Sequence, residues 1–331
     1  MPDIITHILF GQDMLSKLKG NEFHKNFVDN KGLFILGCQG PDIFFYNDFL
    51  PWVKDKRGPK IGKLMHLKNT GEFFIEGLKY IKNKINNSNE KKVLFTYLSG
   101  FMCHFALDRK AHPYIYYFTG EYDKNRPDTY KYKGYHKRFE LIIDTILLMK
   151  KQNKRSYKYK VTDKINAGEN LPDSIQKFYN YIIELLYKIE IDSHLANDAY
   201  RDMKKVFKLI YDPIGIKKGM LCILDILLND KGNYCNLTYP RHIEDDIDYM
   251  NDLKLQWNHP CDKKDVYNDS FYDIYNKALD DGRRMILNAI EYIQGNKNIE
   301  DIVYIFPNTT YTTGRLPEND SVKKYFSPIF D

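Results

Sequence analysis

Metal-type side chains spaced four residues apart constrain this chain more than any other feature of its sequence. His104, Asp108 and His112 lie four apart in FMCHFALDRKAHPYIYY, and His136 and Glu140 lie four apart in YHKRFELIID. Residues four apart on an α-helix are neighbours, with Cβ atoms about 5–6 Å apart. Each segment therefore predicts a helix that carries potential metal ligands on one face.

The spacing within the first segment indicates more than one ion. Its apolar residues recur at helical spacing, which predicts a helix that ends near Pro113. At about 1.5 Å rise per residue, His104 and His112 would stand roughly 12 Å apart along the axis, whereas Zn–N bonds measure about 2.0–2.1 Å. The two histidines should serve different ions. Asp108 lies between them, and its two oxygens can bind separate metals, so the spacing predicts a cluster.

Further candidate ligands precede these segments. An isolated histidine on a helix is usually a core or surface residue, so a single His-x3-Asp pair would not establish a metal site. Of nine histidines in the chain, several fall beside suitable carboxylates in its first part: His7, His66, His104, His112 and His136. Asp42 in GCQGPDIFFY is a further candidate, because Gly40 and Pro41 predict a tight turn that holds its carboxylate. This accumulation predicts a metal site.

The ordered set resembles the zinc-dependent phospholipase C family, which shares an all-helical fold and a trinuclear zinc site with the P1-type nucleases. The resemblance is carried by THILFG, GPDIFF, KLMH, HFALD and YHKRFE, together with His112. It implies an all-α, multi-helix bundle with additional C-terminal helices. It also implies a zinc-dependent phosphodiester hydrolase of the phospholipase C type that acts on a phosphate ester, either a phospholipid or a nucleotide or nucleic acid.

The same resemblance implies how two or three zinc ions would be bound. A first zinc would take Asp42, His66, His104 and Asp108. A second would take His112, His136 and Glu140. A third would take His7, the bridging Asp108 and the imino nitrogen that removal of Met1 exposes on Pro2. Asp42 is also implied to hold or deprotonate the water that attacks phosphorus.

Two features distinguish the chain from secreted members of that family. MPDIITHILF has no basic region followed by an apolar core and a cleavage site, which predicts a cytoplasmic protein similar to intracellular bacterial members. Choline-preferring members have aromatic residues just after the turn aspartate and three residues before the next metal histidine, where this chain has Ile43 and Lys63. These residues disfavour a choline cage, and Lys63 favours an anionic group.

Composition excludes several classes of protein. The chain is 43% hydrophobic and 28% charged, which is typical of a globular protein. It has no apolar run of about 18 residues, so a transmembrane span is not predicted. Its cysteines are odd in number and form no CxxC pair, which predicts reduced thiols: Cys38, Cys103, Cys222, Cys235 and Cys261.

Apolar periodicity predicts helices over most of the chain. In the first half they cover residues 7–19, with Thr6 as a possible N-cap, and residues 23–28, 61–85, 91–110 and 135–150. A basic stretch at 150–160 is predicted to be a solvated loop, or alternatively a patch for phosphate-rich partners. Helices resume at residue 174 and include one over 270–294, and the tail from Asn308 is predicted to be irregular. No hairpin signal and no Gly-rich phosphate loop appears.

The sequence favours a single domain over residues 1–331, with the metal-site core in 1–150 and a helical extension in 151–331. His194, His242 and His259 of the extension are predicted surface histidines. No protein partner is evident, but peripheral contact with a lipid surface fits the resemblance.

Two other functions stay open at this point. A P1-type nuclease would need an aromatic base-stacking pocket near the metals. A non-catalytic zinc protein would typically close each site with four protein ligands, whereas His112, His136 and Glu140 supply three.

Overall fold

The computed structural model describes residues 3–50, 52–230, 234–319 and 322–331. Its regular structure comprises α1 Ile4–Lys17, α2 His24–Asp29, α3 Lys31–Gly37, α4 Arg57–Leu67, α5 Thr70–Asn83, α6 Ser88–Thr119, α7 Tyr135–Gln152, α8 Asp173–Tyr187, α9 Leu195–Ile210, α10 Ile216–Leu227, β1 Trp257–His259, β2 Asp262–Tyr267 and α11 Phe271–Gln294. Short 3-10 segments connect several of these elements, among them Gly40–Tyr46 and Cys235–Leu237. The predicted all-α class is confirmed.

The long helix α6 forms the centre of the molecule. Most of its side chains between Leu94 and Ile115 are buried, and α1, α3, α5, α7 and α11 all pack against it. Glycines let α3 approach α6 closely, because a Cβ on Gly37 would lie 2.2 Å from the carbonyl oxygen of Tyr97, and one on Gly100 would lie 2.1 Å from that of Phe34. This close crossing brings the chain just after α3 against the ligand face of α6.

Helix α1 is held at its first turn by a side chain of α7. The carboxylate of Asp144 accepts hydrogen bonds from the backbone N–H groups of Ile5 and Thr6 at 2.9 and 2.8 Å, and from the Thr6 hydroxyl at 2.6 Å. The prediction of Thr6 as N-cap is wrong: the helix begins at Ile4, with Asp3 at the N-cap position. A carboxylate from another helix satisfies N–H groups at this end, which a local pattern cannot reveal.

Other predicted boundaries also need correction. The helix predicted over 61–85 is two helices, because Asn69 adopts a left-handed conformation with φ of 54° between α4 and α5, and asparagine tolerates that region well. Helix α6 does not end at Pro113 but continues through it to Thr119. The antiparallel pair β1 and β2, with Trp257 opposite Tyr267, was not predicted, because its connection at Pro260 and Cys261 lacks the usual hairpin dipeptides.

The C-terminal part packs onto the same central helix. Helix α11 lies along α6 and α1, where a Cβ on Gly282 would meet the methyl group of Met14 at 2.9 Å. The described residues of the tail after 308 form no regular secondary structure apart from a short 3-10 segment, as predicted. His194 and His242 are exposed, as predicted. His259 is buried, with its Nε2 atom 3.0 Å from the Thr313 carbonyl, so its prediction as a surface residue is wrong.

The cysteines do not all stay as thiols. Cys222 of α10 and Cys235 form a disulfide across 13 positions of sequence, which contradicts the prediction that all the cysteines are reduced. The fold brings their Cα atoms to 4.5 Å, a proximity that their spacing in sequence does not signal. Cys38 and Cys103 are free and buried. Among the described residues, no helix is both long and apolar enough to cross a membrane.

Candidate metal centre

The predicted ligands converge from separate elements on the ligand face of α6. His104, Asp108 and His112 belong to α6 itself, His7 to α1, His66 to α4, and His136 and Glu140 to α7. Asp42 lies in the 3-10 segment Gly40–Tyr46. The structure gathers them into three groups with ligand atoms within 4.8 Å of one another: His7, Asp42 and His104; His66, His104 and Asp108; His112, His136 and Glu140. Pro2, the remaining predicted ligand, lies outside the described residues.

Distances among the residues of the first two groups match those expected between ligands of one ion. Asp108 Oδ1 is 3.1 Å from His7 Nε2, and Asp108 Oδ2 is 3.2 Å from His104 Nε2. His66 Nε2 is 3.1 Å from Asp42 Oδ1. Two donors about 2.0–2.1 Å from a tetrahedral zinc stand roughly 3.3 Å apart. The side chains are therefore spaced as a shared cation requires.

Several of these polar atoms are buried without a hydrogen bond. Among the described residues, no hydrogen-bond partner exists for His7 Nε2, His104 Nε2, Asp42 Oδ1 or either Asp108 oxygen, although their nearest neighbours lie only slightly more than 3 Å away. Their orientation is wrong for bonding one another. Buried polar atoms without partners are costly, and a cation among them would remove that cost. The residues thus fit a metal cluster.

Backbone carbonyls orient three of the histidines. The Nδ1 atoms of His66, His104 and His112 lie 2.6 Å from the Gly62 carbonyl, 3.1 Å from that of Cys38 and 2.7 Å from that of Tyr311, respectively. A histidine that donates Nδ1–H to a carbonyl presents the lone pair of Nε2. This arrangement fixes the tautomer that suits a metal ligand and points each Nε2 toward the cluster.

The third group lies at the more exposed end of the centre. His136 Nε2 is 2.9 Å from Glu140 Oε1, and the His112 and His136 rings stack with centroids 5.9 Å apart. The His136 side chain is 30% exposed, against 4% for His112. Burial lowers the pKa of both histidines, which keeps the rings neutral and available as ligands.

Two buried carboxylates of the cluster, Asp108 and Glu140, carry negative charge. Burial alone would raise the pKa of the Asp108 carboxyl, but His104, His112 and His7 around it hold the pKa well below its usual range. Burial would also raise the pKa of Glu140. Nearby positive charge, in part from His136, outweighs burial, so the pKa of Glu140 is lowered as well. Both carboxylates stay ionised at neutral pH and supply the negative charge that a divalent cation needs.

The residues around Asp42 divide between core and rim. Phe44 and Ile43 are fully buried, whereas Phe45 is 39% exposed and its ring lies 5.2 Å from that of His66. Lys63 is exposed one turn before His66. A Cβ on Gly40 would lie 2.2 Å from the His104 ring, so this glycine permits the turn to approach the helix.

Sequence reasoning missed the partners that complete the site. Tyr311 lies farthest along the chain from the predicted ligands. Its carbonyl contacts His112. Its N–H donates to the His66 carbonyl at 3.0 Å, and its ring lies 4.9 Å from that of His66. Asp144 was also missed as the residue that holds the helix of His7. The four-residue spacing from Glu140 to Asp144 was a signal for Asp144, but nothing in the tail sequence points to a backbone carbonyl.

Comparison with known families decides the affiliation of the chain. A family model described as zinc-dependent phospholipase C matches residues 6–191 of the 331. The chain belongs to the zinc-dependent phospholipase C family. The matched region contains every candidate ligand from His7 to Glu140 and ends before α9. No curated protein and no solved structure matches the chain. Membership of this zinc-dependent phospholipase C family implies a zinc-dependent hydrolase with a phospholipid substrate.

Proposed function

We propose that this member of the family is a phospholipid phosphodiesterase that works with two or three zinc ions. The observation that carries the proposal is a buried cluster of ligand atoms. Within it His7 Nε2, His104 Nε2 and both Asp108 oxygens have no hydrogen-bond partner among the described residues. The ligands would be those expected from the sequence: His7, Asp42, His66, His104, Asp108, His112, His136 and Glu140, with Pro2 as a further ligand.

Zinc bound by these residues would supply Lewis-acid stabilisation of the negative charge that develops on a phosphodiester attacked by water. The protein itself contributes orientation. Carbonyls behind His66, His104 and His112 hold the imidazoles in place, and the buried Asp108 draws the groups of α1 and α6 together. A preorganised site of this kind needs little rearrangement during the reaction.

Asp42 is the carboxylate best placed to exchange a proton with water. Its side chain is 13% exposed, whereas those of Asp108 and Glu140 are 0% and 6% exposed. Asp42 also lies 3.1 Å from His66, whose ring is 5.2 Å from that of the rim residue Phe45. We therefore assign to Asp42 the role of orienting the attacking water and accepting its proton.

The headgroup preference follows from the rim. Ile43 is buried and cannot contact a headgroup, while the exposed Lys63 offers a cation near His66. A choline cage needs aromatic rings around a quaternary ammonium group, and neither position supplies one. We propose a preference for headgroups that carry a negative charge.

Turnover on a substrate panel tests the function. The panel would contain a chromogenic phosphodiester, phospholipids with choline, serine and inositol headgroups, and single-stranded nucleic acid. We expect phospholipid hydrolysis that stops on chelation and returns with zinc, and at least a ~100-fold loss in His104→Ala. The control is His194→Ala, at an exposed position away from the cluster. Hydrolysis of nucleic acid alone would establish a nuclease, and zinc binding without any turnover would establish a non-catalytic zinc protein.

A further inference from the structure

Helix α10 has an unusual distribution of side chains. Only one of its residues is buried, and that residue is Asp225. The opposite face carries an apolar stripe at helical spacing, with side chains 58–76% exposed: Ile216, Met220, Ile223 and Leu227. Leu209 and Ile214 before the helix, and Ile226 and Leu228 at its end, extend this exposed apolar surface. An ordinary surface helix turns such a stripe toward the core.

Polar contacts hold the helix in this orientation. Asp225 accepts hydrogen bonds from the backbone N–H groups of Tyr234 and Cys235 at 2.9 and 2.7 Å. Lys218 donates to the carbonyls of Cys235 and Thr238, and the Cys222–Cys235 disulfide lies on the same side. The inward face is thus fixed by bonds that need a carboxylate and a cation there, which leaves the apolar stripe in water.

The charges around the stripe have one sign at the surface. Between residues 203 and 228 the cations outside the inward face are Lys204, Lys205, Lys208 and Lys217. Of these, Lys205 also pairs with Asp202 at 2.9 Å. Lys218 points inward as described above. The acidic residues of this stretch are Asp212 and Asp225, and both are buried and accept backbone N–H groups. An apolar stripe framed by lysines matches an anionic lipid surface, in which apolar side chains enter the acyl region and lysines meet the headgroups.

The segment after α10 contacts the part of the chain that leads into the metal centre. Asp230 forms an ion pair with Lys133 at 2.8 Å, and the Asn236 amide donates to the Gly134 carbonyl at 3.3 Å. Gly134 directly precedes α7, which carries His136, the more exposed ligand of the cluster. The segment that follows α10 therefore packs directly against the start of the helix that carries His136.

We propose that α10 is an interfacial helix that docks the protein on anionic phospholipid membranes. It lies outside residues 6–191, the part that matches the family. Delivery of lipid to the cluster rests on the proposed function, but the docking itself does not. A protein partner would need a complementary apolar groove, whereas the lysine frame is complementary to negatively charged lipid.

Vesicle binding by the zinc-loaded protein tests the proposal. Cosedimentation would be measured with phosphatidylcholine vesicles and with vesicles that also contain phosphatidylserine. We expect binding to the mixed vesicles that weakens at least about tenfold in Ile223→Ser/Leu227→Ser, because two apolar side chains lose their burial. Hydrolysis of a soluble chromogenic phosphodiester should be unchanged in this variant.

Matched variants distinguish binding through α10 from non-specific binding by other exposed apolar or charged residues. Leu253 and Leu255 are 73% and 62% exposed, similar to Ile223 at 58% and Leu227 at 76%. Leu253→Ser/Leu255→Ser therefore removes a comparable apolar surface away from α10. This variant should bind vesicles as the wild type does. Lys208→Glu should weaken binding to the anionic vesicles, whereas Lys264→Glu at an exposed position of β2 should not.

The outcomes distinguish this proposal from the proposed function. Wild-type binding in the Ile223→Ser/Leu227→Ser variant, or equal losses in both double variants, would overturn docking through α10. A dimer that dissociates in this variant while vesicles stay unbound would instead identify a second copy of the chain as the occupant. Docking without any turnover would support α10 as the membrane-binding helix and would reject the proposed hydrolase. Turnover of the soluble diester without docking would support the hydrolase and would reject docking through α10.

Discussion

Asp108 has one carboxylate oxygen 3.1 Å from a His7 nitrogen and the other 3.2 Å from a His104 nitrogen. Neither oxygen has a hydrogen-bond partner in the part of the chain that the structure describes. Asp108→Asn keeps the shape of the side chain but removes its charge and one ligand oxygen. We expect the variant to lose at least one zinc per chain and hydrolysis to fall at least about 100-fold. Metal analysis and the chromogenic assay measure both effects. Asp280→Asn, at a 73% exposed side chain, is the control, and full zinc content in Asp108→Asn would contradict the shared-ligand assignment.

A second residue, Asp144, links the stability of the fold to pH. Burial, and then the neighbouring Asp3 carboxylate, raises the pKa of Asp144 to about 7. Because this is above the ordinary value of about 3.9, the protonated form is favoured by folding. Its contribution to stability is full below pH about 4 and is lost as the pH rises through 7.

Two substitutions test this linkage. Asp144→Asn imitates the protonated carboxyl. Relative to the wild type, its free energy of unfolding should therefore rise by about 3 kcal/mol between pH 5 and pH 8. Asp144→Ala leaves the buried N–H groups of Ile5 and Thr6 without an acceptor and should cost about 2–4 kcal/mol at pH 5. The cost should be smaller at pH 8, because this variant also lacks the titrating group. Denaturant titrations at several pH values measure these differences. A pH-independent difference between Asp144→Asn and the wild type would rule out a raised pKa.

At the scale of elements, close helix contact sets the geometry of the site. The glycines at the crossing of α3 and α6 leave no room for a side chain, since a Cβ on Gly100 would lie 2.1 Å from the Phe34 carbonyl. Gly100→Ala should therefore separate the helices, lower the unfolding free energy by about 2–4 kcal/mol and weaken zinc binding through the displaced Cys38 carbonyl. An added Cβ at Gly219 in α10 would have no described atom within 4 Å beyond its own helix backbone. Gly219→Ala should therefore raise the unfolding free energy by about 0.5–1 kcal/mol. Thermal unfolding of both variants checks the contrast, and similar melting temperatures would contradict it.

The elements also show what periodicity can and cannot predict. The ligand face of α6 and the start of α7 at Tyr135 follow from side-chain spacing, which depends only on local helix geometry. The passage of α6 through Pro113 does not, because tertiary packing overrides a local preference worth about 3 kcal/mol. Contacts between distant segments, such as Asp144 with Thr6, have no local signature at all.

At the scale of the whole molecule, the C-terminal tail contacts the candidate metal centre through Tyr311. Gly314 has a φ of 67°, and a Cβ there would lie 2.3 Å from the Arg109 carbonyl of α6. Gly314→Ala should push the tail away from α6 and, through the Tyr311 carbonyl, weaken zinc binding about 10–100-fold. Gly295→Ala is the matched control. Gly295 also has a positive φ, of 87°, but a Cβ added there would have no described atom within 4 Å beyond its chain neighbours. Chelator competition measures zinc affinity in both variants, and equal affinities would show that the tail does not support the site.

The tail also marks the limit of prediction at this scale. The sequence places every candidate ligand in its first 140 residues and predicts a helical extension after residue 150, without assigning a role to it. The structure instead closes the site with a backbone carbonyl and an aromatic ring of Tyr311. The division into a core of 1–150 and an extension of 151–331 stays a prediction, as does a cytoplasmic location.

The contact between His112 and Tyr311 has a consequence for the order of events during synthesis. The two residues are 199 positions apart, an interval that a ribosome covers in about 10–40 s at roughly 5–20 residues per second. Throughout that interval the nascent chain holds His112 but not the carbonyl that orients it. The proposed zinc site at this end is therefore complete only after residue 311 has emerged and the tail has packed against α6.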